Sequence, residues 1–196
     1  DYYSEGQEIV GRWGGEAARR LGLDGVVDKP SFDRLCDNLH PTTGRSLTVR
    51  TRSDRTVGYD FTFSVPKSVS VLYALSGDRD ILDAFRAAVD ETMGEIETEM
   101  KTRVRKAGRD VDSPAGKMVW AEFLHTTSRP VDGVPDPQLH AHCFVFNATW
   151  DGAEDRWKAG QFRGLKADAP YFQAAFRVRL ADKLQGLGFG VERKRD

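Results

Sequence analysis

Three of the four histidines in this 196-residue chain, His125, His140 and His142, fall within eighteen positions. The last two stand two apart in LHAHCFVF, Leu139 to Phe146, a run that alternates with the period of a β-strand, whose successive side chains point to opposite faces. His140 and His142 then share a face with Phe144 and Phe146, while Leu139, Ala141, Cys143 and Val145 line the other. Two such imidazoles stand roughly 7 Å apart at Cα, close enough to converge on one ion. His125 closes a second β-forming stretch, Met118 to His125, in phase with Phe123 and Ala121, so pairing the two stretches gathers three ring nitrogens. One histidine alone in a sheet is most simply a polar surface residue, but three at this spacing read as a metal site. Neutral imidazoles leave a divalent ion its full charge, which suits an anionic ligand such as a phosphodiester.

A carboxylate is the missing member of such a site. In Tyr59 to Val65, YDFTFSV, residues Tyr59, Phe61, Phe63 and Val65 take one face of a strand and leave Asp60, Thr62 and Ser64 on the other. Asp60 can accept a hydrogen bond from the far nitrogen of a histidine ligand. It can equally be a solvent-facing residue of an edge strand, and the pattern alone leaves both readings open.

Other elements must position these strands. Gly14 to Gly22 reads as a short helix stopped by glycine, and Ser31 as the cap of another running through Phe32, Leu35 and Leu39. Ser46 to Arg52 alternates like a strand, and Pro66 suits the first turn of a helix continuing through KSVSVLYAL. From Asp80 to about Lys106, apolar residues recur at steps of three and four, predicting one long amphipathic helix with Lys101, Arg103, Arg105, Lys106 and Arg109 crowded at its end. Asp151-Gly152 marks a turn, with a short returning strand over Arg156 to Ala159. Asp168-Ala169-Pro170 opens a last helix carrying Phe172, Phe176, Leu180, Leu184 and Leu187 and closed by Gly188, with a final strand over Phe189 to Arg193. The expectation is an α+β fold, a central antiparallel sheet backed by helices, with the histidines on the central strands.

At 39% hydrophobic and 30% charged, residues 1–196 fit a single globular domain. The formal net charge of -1 excludes a globally basic nucleic-acid binder, so any polyanion site is local. Two distant cysteines, Cys36 and Cys143, fit a reducing cytoplasm, and no apolar run approaches the length of a membrane span. Because the chain begins at Asp1, residues upstream are expected.

GYDFTFSVPKSVSVLYAL at Gly58 to Leu75, FLHTTSR at Phe123 to Arg129 and DPQLHAHCFVFNAT at Asp136 to Thr149 together resemble the conjugative relaxases of the TrwC and TraI kind, the MobF group of the HUH endonucleases. A bare H-x-H is weak, but F-S-x-P-K-S-x-S with an upstream third histidine and P-Q-L-H-x-H is specific. The opening DYY, the GLDG at Gly22 to Gly25 and the LADKLQGLGF near the end extend the likeness along the chain. The resemblance implies a relaxase palm and a metal-dependent nicking and rejoining of one DNA strand at a plasmid or integrative-element transfer origin. His125, His140 and His142 would hold a divalent ion, Mg²⁺ or Mn²⁺ with Zn²⁺ as an alternative, and Asp60 would orient a histidine and take the tyrosine proton. The nucleophile of this family is an N-terminal tyrosine, here Tyr2 first and Tyr3 second. DYYSEG matches the second of two tyrosine clusters, which places the first, and a strand before it, upstream of Asp1. A helicase often follows in this family, outside this sequence.

A phenol is a weak nucleophile when protonated and needs a base or nearby cation to attack a phosphate. The resulting phosphotyrosine conserves the bond energy, so the nick is resealed by reversal. Arg50, Arg52, Lys67 and Arg129 are candidate phosphate contacts, each with an equally good reading as a surface ion-pair partner. Trp120, Trp150 and Trp157 fit a core better than a base-stacking platform. The implied partners are single-stranded DNA at a transfer origin, with an adjacent hairpin, and the proteins of the relaxosome and conjugation machinery; the protein itself is expected to be a monomer. Two rival readings are a three-histidine zinc hydrolase that activates water and a non-cleaving replication-initiator-like module that only holds single-stranded DNA.

Overall fold

A computed structural model describes residues 10–49, 54–106, 108–114, 116–128 and 135–192. Tyr2, Tyr3, Arg50, Arg52 and Arg129 lie outside the described residues. In chain order the elements are β1 (Arg12–Gly14), α1 (Glu16–Arg20), α2 (Lys29–Cys36), β2 (Gly58–Ser64), α3 (Lys67–Ser76), α4 (Arg79–Thr98), β3 (Lys101–Lys106), β4 (Arg109–Pro114), β5 (Trp120–Thr127), β6 (Pro137–Phe146), β7 (Thr149–Asp151), β8 (Arg156–Lys158), α5 (Phe162–Ala167) and α6 (Ala169–Gly186). Four strands form the central antiparallel sheet in the order β1-β5-β6-β2, while β3-β4 and β7-β8 are separate two-stranded ribbons.

The period-2 pattern of β6 sorts its side chains between two cores. Leu139, Ala141, Cys143 and Val145, all fully buried, pack with Phe63 and Val65 against the apolar stripe of α4 (Ile81, Phe85, Ala88, Val89, Met93, Ile96) and against Phe172, Phe176, Leu180 and Leu184 of α6. On the opposite face, Phe144 and Phe146 join Ala121 and Phe123 under α1 and α2, where Phe32 makes edge-on or tilted contacts with Phe123, Phe144 and Phe146 at 5.2–5.9 Å. The three histidines occupy this same face beyond the aromatic rings. Among the described residues no helix is long and apolar enough to cross a membrane.

Several expectations are corrected. The long helix ends at Thr98, not Lys106, and spans about 30 Å. Met100 and Val104 continue the helical spacing, but Lys101 to Lys106 alternates at period two, burying Thr102 and exposing Lys101, Arg103 and Arg105. The basic run therefore lies on the β3-β4 ribbon, with Asp112 opposite Arg103 and Asp110 opposite Arg105. Helix α2 is capped by Asp28, whose carboxylate accepts from Ser31 N at 2.8 Å, so Ser31 receives the cap rather than making it. Of the strand expected over Ser46 to Arg52, the described part is a single bridge, Leu39 to Ser46, followed by bends. The Asn38 side chain accepts from Thr48 N and donates to Thr48 O, taking the backbone groups a neighbouring strand would need. Residues 189–192 are not a strand either: Phe189 N–H returns to Leu184 O at 3.0 Å, closing α6 past Gly188, whose φ is 89°. Helix α5 was not anticipated.

Candidate metal centre

Strand register assembles the site. β6 lies between β5 and β2, with His140 directly opposite His125 on one side and His142 opposite Thr62 on the other. The ring centres of His125, His140 and His142 stand 5.0, 5.4 and 5.2 Å apart. Three imidazole nitrogens at about 2.1 Å from one ion place ring centres about 5 Å apart, so the spacing is already that of three ligands. Among the described residues no three ligand side chains yet close on one point, and the His125 and His140 rings lie stacked at 18°.

Hydrogen bonding selects the nitrogens that face inward. His140 Nδ1 donates to Gln138 O at 2.9 Å, and His142 Nδ1 lies 2.6 Å from Asp60 Oδ2. Committing Nδ1 to an acceptor fixes the Nδ1–H tautomer and leaves the Nε2 lone pair available to a cation. His125 Nε2 is buried with no hydrogen-bond partner among the described residues. An orphaned buried nitrogen costs stability unless something completes it, and its lone pair is of the kind a cation takes. Thr62 Oγ1 donates to Asp60 at 3.2 Å and lies equally far from His142 Nδ1, bracing the carboxylate. Burial, and then the neighbouring charges of His140 and His142, push the His125 pKa down to about 4; burial also lowers that of His140. Both rings stay neutral near pH 7, as ligation requires.

The F-S-x-P-K-S-x-S segment holds this strand in place. Pro66 caps α3, Ser70 is buried and accepts from Leu139 N at 3.0 Å, and Lys67 donates to Pro137 O at 2.9 Å while pairing with Asp136. Leu139 O in turn accepts from Val65 N. A strand start held on both sides fixes where His140 falls.

Residues 1–196 match the TrwC relaxase family. The chain belongs to that family. It is 36% identical over 191 aligned positions to the multifunctional conjugation protein TraI of Escherichia coli strain K12, covering 92% of this chain and 10% of that protein. Among solved structures, a metal-bound complex of the conjugative relaxase TrwC with oriT DNA superposes with a TM-score of 0.88 at 32% identity, covering 99% of this chain and 67% of that one. A complex of TrwC with a 27-mer DNA comprising the recognition hairpin and the cleavage site gives a TM-score of 0.85 at 32% identity, covering 95% and 65% respectively. The chain thus spans about a tenth of the length of its curated relative.

In this TrwC-family palm, four of the expected site residues, Asp60, His125, His140 and His142, come together. Lys67 is already engaged by Asp136 and Pro137 O, so a phosphate would compete with those partners. Trp120 is buried in the core, and Trp150 and Trp157 pack edge to face at 5.4 Å with Arg20 over Trp150. Sequence reasoning held Ser70 within F-S-x-P-K-S-x-S without assigning it a role, and missed the carboxylate of Glu122.

Proposed function

We propose that this protein nicks and rejoins one DNA strand at a conjugative transfer origin through a 5'-phosphotyrosine intermediate. The observation that carries this reading is the trio of imidazoles with Asp60 on the outer nitrogen of one of them. His125, His140 and His142 would hold a divalent ion, Mg²⁺ or Mn²⁺, in keeping with the metal-bound relative. When bound, such an ion supplies Lewis-acid withdrawal of charge from a phosphate oxygen. Asp60 holds His142 in the ligating tautomer by accepting from its Nδ1–H.

Tyr2, with Tyr3 as second choice, is the nucleophile. Its phenolic oxygen forms a bond to phosphorus as the bond to the 3' oxygen breaks; the phenol proton leaves to a base and the released 3' oxygen takes one up. The ester energy is retained, and attack by the 3' hydroxyl reverses the step. Arg50, Arg52, Lys67 and Arg129 are the proposed phosphate contacts, and residues 1–196 act as one relaxase unit. A single-stranded origin with an adjacent hairpin, the relaxosome and the conjugation machinery are the proposed partners, in the cytoplasm.

The test is a denaturing gel of the full-length protein with labelled single-stranded oligonucleotide spanning the origin of its own genetic element, in Mg²⁺ or Mn²⁺. A denaturation-resistant adduct is expected, lost with EDTA and in Tyr2→Phe/Tyr3→Phe. Hydrolysis that survives the tyrosine substitutions would favour the zinc hydrolase, and tight DNA binding with no adduct the non-cleaving module.

A further inference from the structure

Two polar residues of the sequence motifs, Ser64 in F-S-x-P-K-S-x-S and Gln138 in P-Q-L-H-x-H, have side chains that neither brace Asp60 nor hold the start of β6. Both flank His140. Ser64 is registered directly opposite it on β2, in one row with His125 on β5, and Gln138 stands two positions before it on β6. Alternation puts both side chains on the histidine face, where Asp60 and Thr62, which share the parity of Ser64, already meet His142. Hydrogen bonds at the two ends of the β2-β6 ladder, Val65 N–H to Leu139 O and Asn147 N–H to Val57 O, fall on odd-numbered residues of β2. The Ser64–His140 pair is therefore of the non-hydrogen-bonded kind, whose Cα atoms approach to about 4.5 Å with the side chains drawn together.

Their polar groups are uncommitted. Among the described residues neither Ser64 Oγ nor the Gln138 carboxamide makes a hydrogen bond, whereas Thr62 Oγ1 donates to Asp60 and Lys67 is engaged by Asp136 and Pro137 O. Ser64 is half-buried and Gln138 exposed, so both stay open to a ligand. The backbone around Gln138, by contrast, is held at three points: Pro137 O by Lys67, Gln138 O by His140 Nδ1 and Leu139 N by Ser70. A free amide on a fixed backbone is a preorganised donor. Charge favours the same residue types, because a lysine or arginine this close to the imidazoles would repel a divalent ion, while a hydroxyl and a carboxamide donate to an anion without opposing a cation beside it.

We propose that Ser64 and Gln138 are phosphate-contacting residues, donating from Oγ and Nε2 to the non-bridging oxygens of the phosphodiester at the three-histidine centre. This rests on the nicking reading above and adds to it the groups that orient the phosphate whether or not an ion is bound. The two side chains bind and orient; they exchange no proton with the reacting atoms.

The experiment titrates the full-length parent, Ser64→Ala and Gln138→Leu in EDTA with single-stranded origin oligonucleotides. One carries the natural scissile phosphodiester, mapped from the adduct formed in Mn²⁺; two others carry a stereopure methylphosphonate there, which replaces one charged non-bridging oxygen by methyl. The parent is expected to bind the phosphodiester at least tenfold more tightly than either isomer. Each variant should lose about tenfold for the phosphodiester, the scale of a hydrogen bond to a charged group, yet bind at least one methylphosphonate isomer within twofold of the parent. Ser64→Thr, which keeps a hydroxyl, should bind like the parent. Mn²⁺ affinity without DNA should stay within twofold throughout, because these substitutions leave the Gln138 carbonyl and the His140 ring in place. A variant that loses affinity equally for all three oligonucleotides, or for none, or that loses Mn²⁺ affinity in step, overturns the inference. A parent that forms no denaturation-resistant adduct overturns the underlying reading instead, so the two failures are distinct.

Discussion

Asp60 Oδ2 and His142 Nδ1 meet at 2.6 Å across the β2-β6 pair although the two residues are not opposite one another. Asp60 is registered against Phe144 and Thr62 against His142, so the carboxylate reaches diagonally, two positions along the neighbouring strand, with the Thr62 hydroxyl beneath the contact. The contact survives only while the β2 register holds. Asp60→Asn keeps the shape and removes the charge that fixes the tautomer. Mn²⁺ affinity measured by titration calorimetry is expected to fall about 10- to 100-fold, as for other carboxylates behind histidine ligands. A change within twofold would show that Asp60 does not act through His142.

Metal binding should resist acid more than free imidazole chemistry suggests. His125 titrates at about 4 when folded and near 6.5 when unfolded, so between these values the unfolded chain binds the additional proton. The metal-free protein therefore loses stability as pH falls from 6.5 toward 4, and the His125 contribution is level above that window. His125→Phe is expected to flatten this part of a melting-temperature profile, measured in chelator; an unchanged slope would contradict the assignment.

Glu97 predicts a slope of the opposite sign. Its carboxylate, at the end of α4, accepts from Met118 N at 2.6 Å and from Glu16 N at 3.0 Å, and burial pushes its pKa up to about 7 despite the Met118 bond. The folded state then holds a proton that the unfolded chain releases near 4.5, so this group costs stability progressively as pH rises from 4.5 through 7. Glu97→Gln retains an acceptor for both N–H groups without the charge. The variant should melt higher than the parent above pH 7 and match it below pH 4.5. Equal melting temperatures at pH 8 would refute this.

Ser70→Ala leaves Leu139 N buried without its acceptor, at a cost of about 1–3 kcal/mol. At about 2–4 °C per kcal/mol for a chain of this size, melting falls by several degrees. Because the affected strand carries His140 next to Leu139, Mn²⁺ affinity should weaken in the same variant, whereas a control such as Ser113→Ala on the β3-β4 ribbon should leave it intact.

The site was legible because its chemistry rides on the simplest of periodicities. Alternation in β6 fixes which residues share a face, and pairing with β5 and β2 needs only neighbours in space. Helical spacing misled where two elements abut: Met100 packs in the same core as the α4 stripe, and Val104, half-buried on β3, continues that spacing although its strand alternates at period two. Residues 46–49 failed for a different reason, since one side chain, Asn38, satisfies backbone groups in a way that composition cannot show. Glu122 and Ser70 escaped because a polar residue in an apolar strand or helix gains meaning only when its distant partner is known. The tyrosines were singled out by resemblance, not by pattern.

Asp60 and His142 are separated by 82 positions in the chain, and His125 and His140 meet only after β5 has turned back onto β6. Long-range pairings of this kind are completed late on a folding route because loop closure precedes their reward. A cation held by all three rings would bind after the fold is built, so it would slow the loss of native structure while leaving the speed of its formation unchanged. On the proposed metal reading, cells short of the ion would still accumulate correctly shaped but shorter-lived protein.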